Sequence, residues 1–279
     1  MNQQKKGYLF IILSAICFAT GGILIKINTW SPMTISGVRS LFAIPVLYIF
    51  YRRIGHKFCF NKSVFFCALA NTGMCTTFVI ANKLTTAANA IVLQFTLPIY
   101  ILLLTWIFFK KKPDKTSVLS ALLSFAGICF FFFDSISTTG MIGNIVALVS
   151  GFLYAIVFMT KKIPGSDFAS SALLSFALNF VIGIPFTLQE TTISQTNIIS
   201  VVLLGVIQIG FAYIFLEQGL TVVSPIGAAL ASMIEPILNP ILVAVFYKET
   251  IGAMSFAGAV IVFISSIVYN VYEGMKKTD

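Results

Sequence analysis

The chain has 279 residues, 58% of them hydrophobic and 10% charged, with a mean hydropathy of +0.98 and a formal net charge of +9. That balance excludes a water-soluble domain of this size. The positive charge, which in a soluble protein would point to nucleic acid, therefore has to be read by where it falls along the chain.

A helix needs roughly 20 predominantly apolar residues to cross a bilayer. Ten such stretches are legible: Gly7 to Asn28, Met33 to Tyr51, Ser63 to Asn82, Ala87 to Phe109, Thr116 to Phe133, Met141 to Thr160, Phe168 to Leu188, Ile198 to Leu216, Val223 to Tyr247 and Gly252 to Tyr272. The longest connections, Arg52 to Lys62 and Glu190 to Asn197, are too short to fold on their own. Lys5 and Lys6 precede the first stretch as in a signal peptide, but that stretch is too long, shows no small-residue cleavage site and has a counterpart in mid-chain. Residues 5–6, 52–62, 110–115, 161–162 and 276–277 hold fourteen of the 18 Lys and Arg. These segments all fall on one side if the stretches alternate, so the positive-inside rule predicts both termini in the cytoplasm of a bacterial inner-membrane protein. The run Lys110 to Lys112 then reads as a topological anchor beside anionic headgroups, with no nucleic-acid partner.

The chain repeats itself. Ser14, Phe18, Ala19 and Lys26 are echoed 136 residues later by Ser150, Tyr154, Ala155 and Lys162. Thr96 to Ile99 meets Ile234 to Ile237 at an offset of 138, and Phe108 and Lys110 meet Phe246 and Lys248, which places a two-residue insertion between Leu220 and Pro236. Each copy carries five apolar stretches. Because five is odd, the second copy threads the bilayer in the opposite sense, giving an all-α fold of ten helices in two inverted repeats, 1–134 and 135–279, joined by the polar hinge Asp134 to Gly140. Many secondary transporters are built this way.

Paired helix interruptions are the best sequence pointer to a transport site. Pro98 and Pro236 correspond, and each denies a donor to the carbonyl four residues back, that of Gln94 or Ser232. Pro240 does the same to the carbonyl of Pro236. Gln94 and Ser232 are thus expected to face one shared cavity, with Asn239 one turn beyond Glu235 on the same face. Glu235 is the only acidic residue near the centre of a stretch, where a carboxylate costs roughly 2.5–3.5 kcal/mol on insertion scales for the related Asp. It reads either as a substrate counter-charge or proton carrier, or as half of a structural ion pair with Arg39 or Lys26. Tyr154, Asn71, Asn89 and Gln208 are further candidates to line the cavity, against the alternative that they only bond helix to helix.

The five cysteines show no metal-ligand spacing and read as reduced packing residues. His56, the only histidine, lies in a basic loop expected to be solvated. No nucleophile constellation, phosphate loop, metal site or cofactor motif is visible, so the chain does not read as an enzyme.

The segments Leu84 to Tyr100 (LTTAANAIVLQFTLPIY) and Ile234 to Glu249 (IEPILNPILVAVFYKE), on ten stretches in two repeats, resemble the EamA family of the drug/metabolite transporter superfamily. Pro98, Pro236, Glu249 and Arg39 match positions common in that family, whereas its first-half glutamate is replaced here by Lys111. The resemblance implies secondary transport, often export, of amino acids or other small metabolites by alternating access, usually by a monomer. The expectation is a cavity formed by stretches 1, 3, 4, 6, 8 and 9, a small-molecule substrate in the bilayer, optional proton coupling, and a monomer or weak homodimer. Two alternatives stay open: import or exchange of a small organic cation, and a scaffold or receptor that moves no solute.

Overall fold

The computed structural model describes residues 3–131, 133, 140–238 and 253–275, so Asn239, Pro240 and the segment around Lys248 and Glu249 lie outside the described residues. The described residues form ten helical units: α1 (Gln3–Ile27, interrupted at Thr20), α2 (Pro32–Arg53), α3 (Lys62–Leu84), α4 (Ala87–Gln94 and Leu97–Phe109), α5 (Lys115–Phe131), α6 (Met141–Met159), α7 (Phe168–Thr187), α8 (Gln195–Leu220), α9 (Pro225–Leu238) and α10 (Ala253–Met275). Seven are long and apolar enough to cross a membrane, and α5, α9 and α10 contribute shorter apolar helices over the described residues.

Helix starts are fixed by short polar side chains. Ser31, Asn61, Thr86, Asp167, Ser194 and Ser224 each accept a bond from the backbone N–H three residues on, satisfying a donor that the helix itself leaves orphaned. Pro32 and Pro225 follow two of these caps, at the position where a missing N–H costs nothing. Thr86 and Ser224, which start α4 and α9, are repeat counterparts. So are the interruptions that follow them, at residues 95–96 and 233–234, each directly before a Leu97–Pro98 or Glu235–Pro236 step.

The packing follows the duplication. The most extensive contacts join α2 to α7, α5 to α10, α3 to α6 and α1 to α8. The first two pairs are counterparts facing each other, and the last two exchange when the copies are swapped, as an internal two-fold axis requires. Single bonds obey it too. Ser14 Oγ donates to Ala212 O at 2.8 Å, and its counterpart Ser150 Oγ donates to Met74 O at 3.3 Å. This pair corrects one sequence expectation. The offset is already 138 at Met74 and Ala212, so the two extra residues lie before Ala212 and not between Leu220 and Pro236. The middle of α8, Leu204–Phe211, is a π-helix. Its eight residues turn about as far as six or seven residues of α-helix, so the wide segment absorbs the surplus.

One end of the bundle gathers the basic loops. There His56 Nε2 lies 3.0 Å from Asp167 Oδ2, Asn61 Nδ2 donates to Gly165 O at 2.8 Å, and Lys161 pairs with Glu217 at 3.4 Å. His56 is thus held between the two copies, not merely solvated as its loop suggests. At the opposite end Asn28 Nδ2 bonds Asn197 O and Ser200 Oγ, Trp30 Nε1 donates to Thr192 O, and Lys83 Nζ donates to Asn28 O at 2.6 Å. The two copies are therefore tied together at both ends.

Candidate functional site

On the internal axis, counterparts meet. Phe18 and Tyr154 pack edge to face with ring centroids 6.3 Å apart, and Cys75 Sγ lies 3.8 Å from Tyr213 Oη. Beside them is a small cavity with room at its centre for little more than a water molecule. Phe18, Met74, Cys75, Phe78, Tyr154, Ile209 and Tyr213 make its walls, and Arg39, Gln94, Gln208 and Glu235 supply its polar groups. The lining comes from α1, α3, α4, α6, α8 and α9 and, in addition, from α2 through Arg39.

Arg39 is the residue the sequence undervalued. It is 1% exposed, and its guanidinium donates from Nη1 to Gln208 Oε1 at 3.2 Å and from Nη2 to Cys75 O at 3.0 Å, while Nε is buried with no partner. The π-helix presents Gln208 to it. On the same wide turn Gly205 lets α2 approach so closely that a Cβ there would sit 2.4 Å from Arg39 O. A lone arginine in an apolar stretch signals function by its cost alone. Nothing in its spacing, however, ties it to the Glu235 face.

Glu235 begins the second arm of α9, immediately after the interruption, and its Oε2 is buried with no hydrogen-bond partner. The structural ion pair is not formed among the described residues. Arg39 is engaged as above, Lys26 Nζ donates to Thr85 O at 3.3 Å, and the ion pairs present are those of His56 with Asp167 and Lys161 with Glu217. Gln94 is the last residue of the first arm of α4 and donates from Nε2 to Ser150 Oγ at 2.7 Å. Its own carbonyl, which Pro98 cannot engage, faces Gly151, where a Cβ would come within 2.6 Å of it. That carbonyl thus abuts protein.

The remaining sequence candidates divide. Tyr154 and Gln208 line the cavity. Asn71 stands one layer behind, accepting from Tyr213 Oη at 2.5 Å, with its Nδ2 buried and unpartnered. Ser232, counterpart of Gln94, is buried but is not a lining residue; nor are Pro98 and Pro236, which serve the interruptions. Asn89 sits away from the cavity, bonding Asn144 Oδ1 at 3.0 Å and Thr85 Oγ1 at 3.3 Å to join α4 to α6 near their ends. Among the described residues no group of three or more His, Cys, Asp or Glu is placed to hold a metal ion.

An all-helical membrane fold with a duplicated scaffold and a small cavity holding polar groups on its internal axis is the architecture of an inverted-repeat membrane transporter. The chain belongs to the EamA-like transporter family, whose model matches residues 5–133 and 141–271, and through it to the drug/metabolite transporter superfamily. It is 25% identical over 169 residues to an uncharacterized transporter of Helicobacter pylori strain J99, a match spanning 58% of this chain and a little over half, 56%, of that relative. A solved crystal structure of a protein, 14% identical, superposes with a TM-score of 0.82 over 96% of this chain and 97% of its own, a likeness of fold.

Proposed function

We propose that the protein is a secondary carrier that exports a small polar metabolite, an amino acid or a close relative, across the bacterial inner membrane. The repeats 1–134 and 135–279 rock about the cavity, opening it to each side in turn, and the protein works as a monomer or weak homodimer. The observation that carries this reading is the buried carboxyl of Glu235, with an unpartnered oxygen, in the lining of a small cavity between two inverted copies. A carboxyl kept at that depth without a fixed partner suits a group that takes its partner from the substrate or carries a coupling proton. The rings around it would also suit an organic cation, but Arg39 in the same cavity repels one.

Glu235→Gln keeps the shape of the side chain and removes its charge and proton. The variant is expected to be well expressed and near wild-type in melting temperature, yet inactive in proteoliposome flux. Full activity would take Glu235 out of the site. The orientation has its own check. Cys59, exposed in the basic loop, is expected to resist membrane-impermeant thiol reagents in intact cells and to react once the membrane is opened; labelling in intact cells would invert the topology.

A further inference from the structure

We infer that the cleft between α3, α4 and α6 at the basic end of the bundle is a binding site for one anionic phospholipid, its acyl chains in the cleft and its headgroup among Lys62 and Lys110 to Lys112. The site is separate from the central cavity and from whatever the protein carries there.

The cleft follows from the break in α4. The first arm, Ala87–Gln94, packs against α3, whereas the second, Leu97–Phe109, packs on α6 and scarcely touches α3. The space left is about 800 Å³, within the roughly 300–1,000 Å³ of ligand sites, and every residue that lines it is apolar. Ala70, Leu104 and Met159 are buried in its floor, while Phe66, Leu69 and Phe108 stand exposed at its rim. Along α6 it runs from Phe152 to Ile163, about 16 Å at 1.5 Å per residue. That is the depth of one leaflet, half of a hydrocarbon core roughly 30 Å thick. An apolar cleft in a bilayer does not choose between lipids, because their tails are as apolar as the side chains they meet. The choice falls to charge. Lys62 is exposed one helical turn before Phe66, on the same face of α3, and the exposed run Lys110 to Lys112 begins directly after Phe109. Lys110 ends α4 in the left-handed region at φ 53°, the only non-glycine residue there among the described residues, where a glycine would be easier to place. Three acids of that end are already engaged: Asp114 with Ser117, Asp167 with Ser170 and His56, and Glu217 with Lys161. A groove one leaflet deep with a cationic mouth is complementary to a lipid with a negative headgroup.

The test uses the full-length protein in phosphatidylcholine bilayers with a rising share of phosphatidylglycerol of the same chain length, brominated on its acyl chains so that it quenches tryptophan on contact. Phe66→Trp in a chain with Trp106→Phe reports on the cleft. The wild type reports through Trp106, which is exposed on α4 outside the cleft lining, and Trp30 is common to both. Leu69→Trp replaces Phe66→Trp if the latter does not fold. The cleft reporter is expected to reach half quenching at a share of phosphatidylglycerol lower than Trp106 needs by on the order of 25-fold, about fivefold for each of Lys62 and Lys110. Lys62→Gln and Lys110→Gln should each give back about fivefold of that preference, and brominated phosphatidylcholine should show none of it. Equal quenching of the two reporters would make the cleft ordinary lipid-facing surface. Brominated phosphatidylcholine acting on the cleft as readily as phosphatidylglycerol would make it a crevice without headgroup selection. A cleft reporter that neither lipid quenches would mean that a second copy of the chain covers it. Each of these three results overturns the site, as does a preference that survives both lysine substitutions together.

Discussion

The two halves share a backbone plan and part company at the cavity. Thr86 and Ser224 cap corresponding helices, and Ser14 and Ser150 make corresponding bonds. The interruptions of α4 and α9 coincide residue by residue. Yet among the residues that line the cavity Arg39 corresponds to Ser175, Glu235 to Leu97, Gln94 to Ser232, and Phe18 to Tyr154. Symmetry supplies the scaffold, and the departures from symmetry supply the polar groups of the cavity. A cavity lined by two identical sets of groups would offer a ligand the same face twice; this one offers a cation from the first half and a carboxyl from the second.

The comparison breaks most visibly if the first half is made to copy the second at Arg39. Arg39→Ser leaves the buried Gln208 Oε1 and Cys75 carbonyl without their donor, at about 1–3 kcal/mol for each acceptor. Both a lowered melting temperature and lost flux are expected. Wild-type stability would mean that the guanidinium does not hold α2, α3 and α8 together.

Next in size is the pair Ala15 and Gly151, counterparts with different neighbours. Gly151→Ala drives a methyl group to 2.6 Å from the Gln94 carbonyl and is expected to destabilise by about 1–3 kcal/mol, as overpacking does. A thermal melt unchanged by Gly151→Ala would show that α4 yields there without loss.

The smallest expected effect is the sharpest test of the symmetry. Ser14→Ala removes one bond between helices, worth about 0.6 kcal/mol in a membrane protein. Ser150→Ala removes the matching bond and also the partner of Gln94 Nε2, so it should cost more and weaken flux. Equal losses from the two variants would place Gln94 outside the working part of the cavity.

Much of this was legible in the sequence because duplication is a pattern of residues, and a pattern survives without coordinates. The prolines located the interruptions, and the echo of Phe18 in Tyr154 brought both to one place, the axis where they touch. Arg39 escaped the candidate list because it has no echo. Its position against Glu235 depends on how α2 packs beside α8, and no spacing within α2 encodes that. Asn89 misled for the converse reason: a polar residue in an apolar helix looks the same whether it bonds a neighbouring helix or faces a cavity, and here it bonds Asn144. The position of the two surplus residues was misread because a π-helix has no signature in residue type.

That π-helix breaks the regular pitch of α8 beside the cavity. Through Leu204–Phe211 the helix runs wider than its neighbours, holding residues that its length does not need. If one surplus residue passes along the axis, everything beyond it swivels by about 100° and slides by about 1.5 Å, with few bonds broken at any moment. Gln208, which touches Arg39, lies inside the segment, and Tyr213, which touches Asn71, lies just past it. Its counterpart α3 is 23 residues of unbroken α-helix, so of the two matching helices one keeps a single pitch and the other changes pitch where it meets Arg39.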